Sequence, residues 1–295
     1  MMPVLASFDV GGTSVTVAAY GTFLVLAATA ALALGAWAAA GLSVRLARAV
    51  TGVAVAVLAG LVGARLLDAV LNWPYYGADP ARILDLRFRG FALYGGLIGG
   101  ALGIALVARA WRIPFARLAD RAIPAVVVGI VMLRIGCFLN GCCAGVETTL
   151  PWGVTFPPRV GALGAQALNG LGSLGIGVVA EARAVHPTPL SAVAAVLVCG
   201  AAAALIARRG ARSGVPALAF AAGFLLFRAA DQTLRVPSPD TSVPDWWITA
   251  AYAVAGLAAA AILARRRRAE GAEGRRGHVV VAASSPSTGG LGAAS

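Results

Sequence analysis

The sequence predicts an all-α integral membrane protein, a bundle of about seven transmembrane helices with an outside head segment between the fourth and fifth spans. Three observations carry that prediction. Of the 295 residues, 59% are hydrophobic. Only 12% are charged, against roughly 25% in an ordinary soluble domain. Apolar stretches of membrane-crossing length also recur between arginine-rich or proline-rich breaks. Four cysteines in so long a chain do not make the disulfide framework of a small secreted domain, and two histidines leave little for a zinc site. No metal and no cofactor are therefore expected. No basic segment precedes the first apolar stretch and no cleavage site follows it, so that stretch reads as a retained span.

A hydrocarbon core about 30 Å thick needs about 20 apolar residues per helix. The stretches that meet this are Val17 to Ala40, Thr51 to Leu71, Phe91 to Ala110, Ile123 to Leu139, Pro189 to Ala207, Val215 to Thr233 and Trp246 to Leu263. In the third, Gly95, Gly96, Gly99, Gly100 and Gly103 allow helix backbones to approach closely where lipid gives no hydrophobic drive for association. The long segment from Gly141 to His186 carries TTLPWGVTFPP at Thr148 to Pro158, and loops of that length are functional or disordered. Its apolar, glycine-rich part, Gly161 to Val179, is suited to lie along the membrane surface. Residues 1–264 read as the seven-span domain and 265–295 as a basic cytoplasmic tail, disordered from about Ala269. FDVGGTSV, Phe8 to Val15, looks like the phosphate-binding turn of sugar kinases of the actin-like fold. That turn joins two strands of a soluble domain, whereas here a span follows, so no nucleotide site is expected.

The net charge of +12 comes from 24 basic residues, all arginine, against 12 acidic ones. Fifteen arginines fall in one alternate set of loops and the tail, and six in the other set. Positive loops stay inside, which puts the N-terminus outside and the C-terminus in the cytoplasm of a multi-pass protein of the bacterial cell membrane. The run Arg265 to Arg268 beside a span suits anionic lipid headgroups, and nucleic acid is not an expected partner.

Arg65, Arg134 and Arg228 lie inside the spans. Each costs about 2.5 to 3.5 kcal/mol at mid-membrane on insertion scales unless something anionic or wet meets it. Asp68 and Asp231 stand three residues after Arg65 and Arg228, a spacing for compensating pairs on one helix face. Arg134 has no such partner in its span, which points to an anionic ligand such as a phospholipid phosphate. Snorkelling or interhelical pairing is the plainer alternative. Cys137, Cys142 and Cys143 cluster in RIGCFLNGCCAG, Arg134 to Gly145, in a spacing that matches no common metal site. A disulfide, a reactive thiolate near Arg134 and inert packing all stay open for them. Cys199, in mid-span, reads as a small core hydrophobe.

Several stretches together resemble the prolipoprotein diacylglyceryl transferases. They are GARLLDAVLNWPYY (Gly63 to Tyr76), GFALYGGLIGGALG (Gly90 to Gly103), RLADRAIPAVVVGIVMLRIGCFLNGCCAG (Arg117 to Gly145), PWGVTFP (Pro151 to Pro157) and HPTPL (His186 to Leu190). The likeness runs from Tyr20 to about Pro237. It implies transfer of the diacylglyceryl group of phosphatidylglycerol to the lipobox cysteine thiol of a prolipoprotein, with release of glycerol 1-phosphate. It also implies the seven-span topology and the outside head segment. By resemblance Arg134 is the signature arginine, Arg228 and Arg235 are a pair seven residues apart, Tyr20 is the tyrosine of the first span and Gly145 closes the signature. Arg134 and Arg228 are the expected phosphate ligands, with Arg235 at the outer entrance. Arg65, Asn140 and His186 complete the expected substrate contacts.

The departures are as informative. Tyr94 stands where the family has the histidine of an HGG motif, Cys137 and Cys142 where it has asparagine and glutamate, and Gln232 where a glutamate follows the late arginine. Phe224 replaces a tyrosine, and HPTPLSA is what remains of an HPxQLYE motif. Arginine-based phospholipid binding survives such changes more easily than a specific acid–base arrangement. Three functional readings follow. One is the family reaction, with Tyr94, His186 or a cysteine covering proton transfer. Another is a divergent phospholipid-using transferase in which Cys142 or Cys137 is a nucleophile or redox-sensitive group and the acceptor differs. The third is a non-catalytic lipid-binding membrane protein.

Overall fold

The computed structural model describes residues 4–10, 13–84, 93–141, 143–155, 183–235 and 244–283. Its helices are α1 (Ala19–Ala40), α2 (Leu46–Leu71), the short α3 (Trp73–Gly77), α4 (Leu93–Trp111), α5 (Phe115–Asn140), α6 (Thr188–Arg208), α7 (Val215–Gln232) and α8 (Asp245–Ala283). A 3-10 turn covers Pro80–Leu84. Four short strands complete the set: β1 (Val4–Val10), β2 (Thr13–Ala18), β3 (Val154–Thr155) and β4 (Ala184–Val185). An all-α membrane fold is what the sequence predicts, and each of the seven apolar stretches is helical.

Five of the helices are long and apolar enough to cross a membrane: α1, α2, α5, α6 and the Trp246–Arg268 part of α8. The other two stretches differ from the expectation of full spans. The apolar part of α4 is the shorter Gly95–Trp111, and α7 has 18 residues and carries Arg228 and Asp231 in its second half. Each helix contacts its neighbour in the order α4, α2, α1, α5, α6, α7, α8. Small side chains such as Ala39, Ala49, Ala192 and Ala203 are buried between them, while Trp37, Leu102, Val198 and Val254 face outward. This is the distribution expected where apolar surface loses nothing by facing lipid.

The tightest crossing is α2 on α4. A Cβ on Gly63 would overlap the carbonyl oxygen of Gly95, one on Gly95 the carbonyl of Gly63, and one on Gly99 the carbonyl of Ala59. Gly103 sits against the Cα of Ala56, 2.7 Å from where its own Cβ would be. Only residues without side chains allow two helix backbones this close.

Two elements lie outside the sequence expectation. Residues 4–18 form an antiparallel hairpin, with Val10 opposite Thr13 and Phe8 opposite Val15. The dipeptide Gly11-Gly12 between alternating β-branched residues is a hairpin signal. Helix α8 continues through the arginine run to Ala283, beyond the apolar stretch. Alanine, arginine and glutamate are good helix formers, and extending an existing helix needs no new nucleation.

Candidate active site

α5 ends in a left-handed residue, Gly141 at φ 70°, whose N–H bonds back to the carbonyls of Cys137 and Phe138. The last two turns of that helix place Arg134, Cys137 and Asn140 on its buried side, with Arg134 6% exposed. α1 meets the same turns. A Cβ on Gly136 would lie 2.7 Å from the Cβ of Phe23 and 3.7 Å from the Cα of Tyr20, so Tyr20 belongs to this end of the bundle.

Opposite α5, α7 contributes Arg228 and Asp231, both buried, with Arg235 just beyond its end. One Asp231 oxygen, Oδ2, accepts from Nη1 of Arg228 and from Nε of Arg235, the latter at 3.1 Å. The other, Oδ1, lies 3.0 Å from the hydroxyl of Ser191 on α6. Nε of Arg228 points at the hydroxyl of Tyr252 on α8 (3.4 Å), and its guanidinium stands 5.1 Å from that ring's centroid. Nη2 of Arg228 donates to Oε1 of Gln232 at 3.4 Å.

Arg134 is within electrostatic reach of Asp231, Tyr252, Cys137 and Cys143, and Arg228 is within reach of both Arg134 and Arg235. Among the described residues, two guanidiniums therefore bind one carboxylate, with a third within electrostatic reach of it. Among the described residues no ion pair is formed by Arg134, and Nη2 of Arg235 is buried with no hydrogen-bond partner. Removing a charge from water costs several kcal/mol per ion, so a cluster that carries two positive charges in excess among the described residues is suited to receive an anion.

The head segment closes over this end. Gly145 N–H donates to the carbonyl of His186 at 2.8 Å, Val146 N–H to that of Leu234 at 2.8 Å, and Gly145 bridges to Arg235. A Cβ on Gly145 would come within 2.7 Å of the His186 Cβ, which explains glycine here. Thr188 donates to the carbonyl of Cys143. β3 pairs with β4 alongside, and Arg183 forms an exposed bridge to Glu147 at 3.0 Å.

The indole N–H of Trp152 lies 3.4 Å from Nδ1 of His186. An indole only donates, so Nδ1 is the acceptor in this contact.

Arg134, Arg228, Arg235, Cys137, Asn140, Gly145, His186 and Tyr20 thus gather at one end of the bundle. Arg65 does not join them through its described contacts. It donates to the carbonyls of Ile83 (3.0 Å) and Arg82 (2.6 Å) and stands over the Tyr76 ring. The compensating pair expected within α2 is also rearranged. Asp68 stays within electrostatic reach of Arg65, but it accepts from Tyr76 at 2.7 Å and from Asn72 at 3.1 Å. Burial and the neighbouring carboxylate push the Tyr76 phenol upward from its ordinary value, which keeps it a donor. The side chain of Tyr94, at the start of α4, and the whole of Cys142 lie outside the described residues, as do residues 156–182 with the Gly161 to Val179 stretch. Cys137, Cys143 and Cys199 are thiols, with no disulfide among them. Among the described residues no group of three metal-ligating side chains occurs.

Sequence reasoning missed Ser191, Thr188 and Tyr252. The first two sit in HPTPLSA, read there as a degraded motif, and Tyr252 is a single polar-tipped ring in an alanine-rich span. Phe224 stacks between Phe220 and Phe227 in an apolar cluster with Ile130 and Val196.

The sequence model of the prolipoprotein diacylglyceryl transferases matches residues 6–266. The chain belongs to this family. Among its curated relatives is "phosphatidylglycerol–prolipoprotein diacylglyceryl transferase 2" of Clostridium perfringens, 40% identical over 101 residues, which are 34% of this chain and 40% of the relative. The enzyme named phosphatidylglycerol–prolipoprotein diacylglyceryl transferase in Clostridioides difficile is 37% identical over 100 residues, 34% of this chain and 40% of that one. The protein of the same name from Rhodopirellula baltica is 34% identical over 165 residues, 53% of this chain and 33% of that one. The chain thus spans about two fifths or less of the length of these relatives. The arginine cluster, from Arg134 to Arg235, falls inside the region the family match covers.

Proposed function

We propose that this member of the family transfers the diacylglyceryl group of phosphatidylglycerol to the lipobox cysteine thiol of prolipoproteins, at a site on the outer side of a bacterial cell membrane. The observation that carries this reading is the buried cluster of Arg134, Arg228 and Arg235 around the single carboxylate of Asp231, with Nη2 of Arg235 unpartnered among the described residues. The names of the curated relatives supply the two substrates.

In the reaction the thiol sulfur forms a bond to the terminal glycerol carbon as that carbon's bond to the phosphate oxygen breaks. The bonding pair leaves with the phosphate, which departs as glycerol 1-phosphate, and the thiol proton passes to a base. Negative charge grows on the departing phosphate, and fixed guanidiniums in a water-poor site stabilise it more than they stabilise the bound lipid. Arg134 and Arg228 are the ligands of that phosphate in this reading, and the free Nη2 of Arg235 is its third donor. Tyr94, His186 and the cysteines are the candidate proton acceptors in this reading.

The test is transfer from labelled phosphatidylglycerol to a lipobox peptide by the purified full chain in detergent, beside Arg134→Ala. A thioether product that disappears with the substitution supports the reading. No product, with phosphatidylglycerol retained in an Arg134-dependent way, refutes transfer and leaves a lipid-binding site. Topology is tested separately by labelling residues 141–186 from each side, and a cytoplasmic head segment would rule out the outside site.

A further inference from the structure

The proposed reaction gives Asp231 no step, yet this carboxylate is among the most heavily bonded side chains in the bundle. Its side chain is 1% exposed. Both oxygens are occupied, Oδ2 by Arg228 and Arg235 and Oδ1 by Ser191 of the neighbouring helix. These contacts fill the carboxylate's coordination and leave it facing guanidiniums. What Asp231 contributes is one negative charge bonded to two guanidiniums and within electrostatic reach of a third.

Charge arithmetic gives that contribution a purpose. Arg134, Arg228 and Arg235 with Asp231 sum to two positive charges. A bound phosphatidylglycerol diester brings one negative charge and leaves the site at plus one. When the carbon–oxygen bond breaks and the pair moves to the phosphate, the diester becomes a monoester dianion, and the site is neutral. We infer that Asp231 is a positioning residue that matches the arginine cluster to the departing phosphate dianion, holding two guanidiniums in place while limiting their charge so that the product can leave. The inference rests on the transferase reading and deepens it.

Without the carboxylate three unopposed guanidiniums would hold the dianion with a positive charge to spare, in surroundings that screen charge weakly. Bond breaking would slow only as far as the two guanidiniums lose their anchor, whereas release would slow with the added charge. Ser191 supports the same function by fixing Oδ1, which aims Oδ2 between the two arginines.

The experiment compares wild type, Asp231→Asn and Asp231→Glu as full chains in detergent. It measures transfer to a lipobox peptide in the first turnover and at steady state, and inhibition by glycerol 1-phosphate. Asp231→Asn is expected to slow the first turnover a few-fold, as the two guanidiniums lose their anchor, and to slow about tenfold further at steady state, with glycerol 1-phosphate inhibiting about tenfold more tightly. Asp231→Glu keeps the charge and should restore release. Unchanged product affinity with no burst overturns the inference. So does joint loss of lipid binding and first turnover in both variants, which is the signature of a merely structural role.

If the wild type forms no thioether, the transferase reading falls. The inference is then judged by binding of glycerol 1-phosphate and inorganic phosphate, and equal affinities in wild type and Asp231→Asn reject it. Should Asp231→Asn fail to fold, Ser191→Ala replaces it. That variant leaves the charge intact, so product affinity is expected to stay within about twofold while the first turnover slows. Product binding tightened in that variant would overturn the assignment.

Discussion

Two regions of this bundle hold helices together by opposite means. At the α2–α4 crossing there is almost no side chain at all. Gly63, Gly95, Gly99 and Gly103 bring backbone against backbone, and dispersion does the binding. Where α5, α6, α7 and α8 meet, the contact is made of Arg134, Arg228, Asp231, Ser191 and Tyr252, groups that lipid cannot satisfy. The first region is complete as it stands. The second is charged beyond what its own carboxylate balances. The difference separates a seam made for packing from the cluster where we propose that the ligand binds, since charge left uncompensated among the described residues is costly in a membrane protein.

The largest way to sharpen that contrast is Arg134→Ala. It should lower transfer by about 100-fold or more, the scale of losing one oriented donor to developing charge, while thermal unfolding in detergent changes little. An unfolded variant would show instead that the arginine is structural. Next, Gly63→Ala should break the seam. Its methyl group meets the Gly95 carbonyl, and overpacking of this kind costs about 1–3 kcal/mol. A fall in the unfolding midpoint, with transfer per folded molecule unchanged, is the expected result.

A smaller effect is expected far from both regions. Asp120 in α5 accepts from the N–H groups of Gly214 and Ala217 at 2.6 and 2.9 Å, capping the start of α7. Asp120→Ala should cost about 1 kcal/mol of stability with no change in KM for lipid, because the cap lies at the opposite end of α7 from the arginines. Smallest of all, Tyr252→Phe keeps the ring under Arg228 and removes only the hydroxyl. A hydrogen bond of net worth about 1 kcal/mol or less predicts a few-fold change in turnover, and a 100-fold loss would make Tyr252 a participant in the chemistry.

The fold was largely legible because a bilayer demands long apolar helices, and a composition obeying that demand is visible without a structure. Two stretches were harder. α4 and α7 are shorter than the others and owe their place to neighbours, through the glycine contacts of α4 and the ion pair and cap of α7. The arginines of the site were legible from the same physics, since a guanidinium in a span calls for explanation. Asp231 was legible as a partner of Arg228 at helical spacing. Its bonds to Arg235 and Ser191 were not, because Ser191 lies 40 residues away in sequence and on a different helix. Arg65 shows the converse. It has the same signature as Arg228, an arginine in a span with aspartate three residues on, yet it is drawn to the carbonyls of the 3-10 turn.

What the sequence determined by itself is the membrane class, the helical stretches and the positions where charge enters them, because each follows from the solvent a residue type can tolerate. The tertiary structure decided which arginines share a carboxylate, which one bonds the carbonyls of a turn, and that the Trp152 indole N–H faces Nδ1 of His186. Those outcomes depend on distances of a few ångströms between side chains from separate helices and the head segment. Coulomb attraction and hydrogen bonding fall off over that range, and no spacing along the chain encodes it.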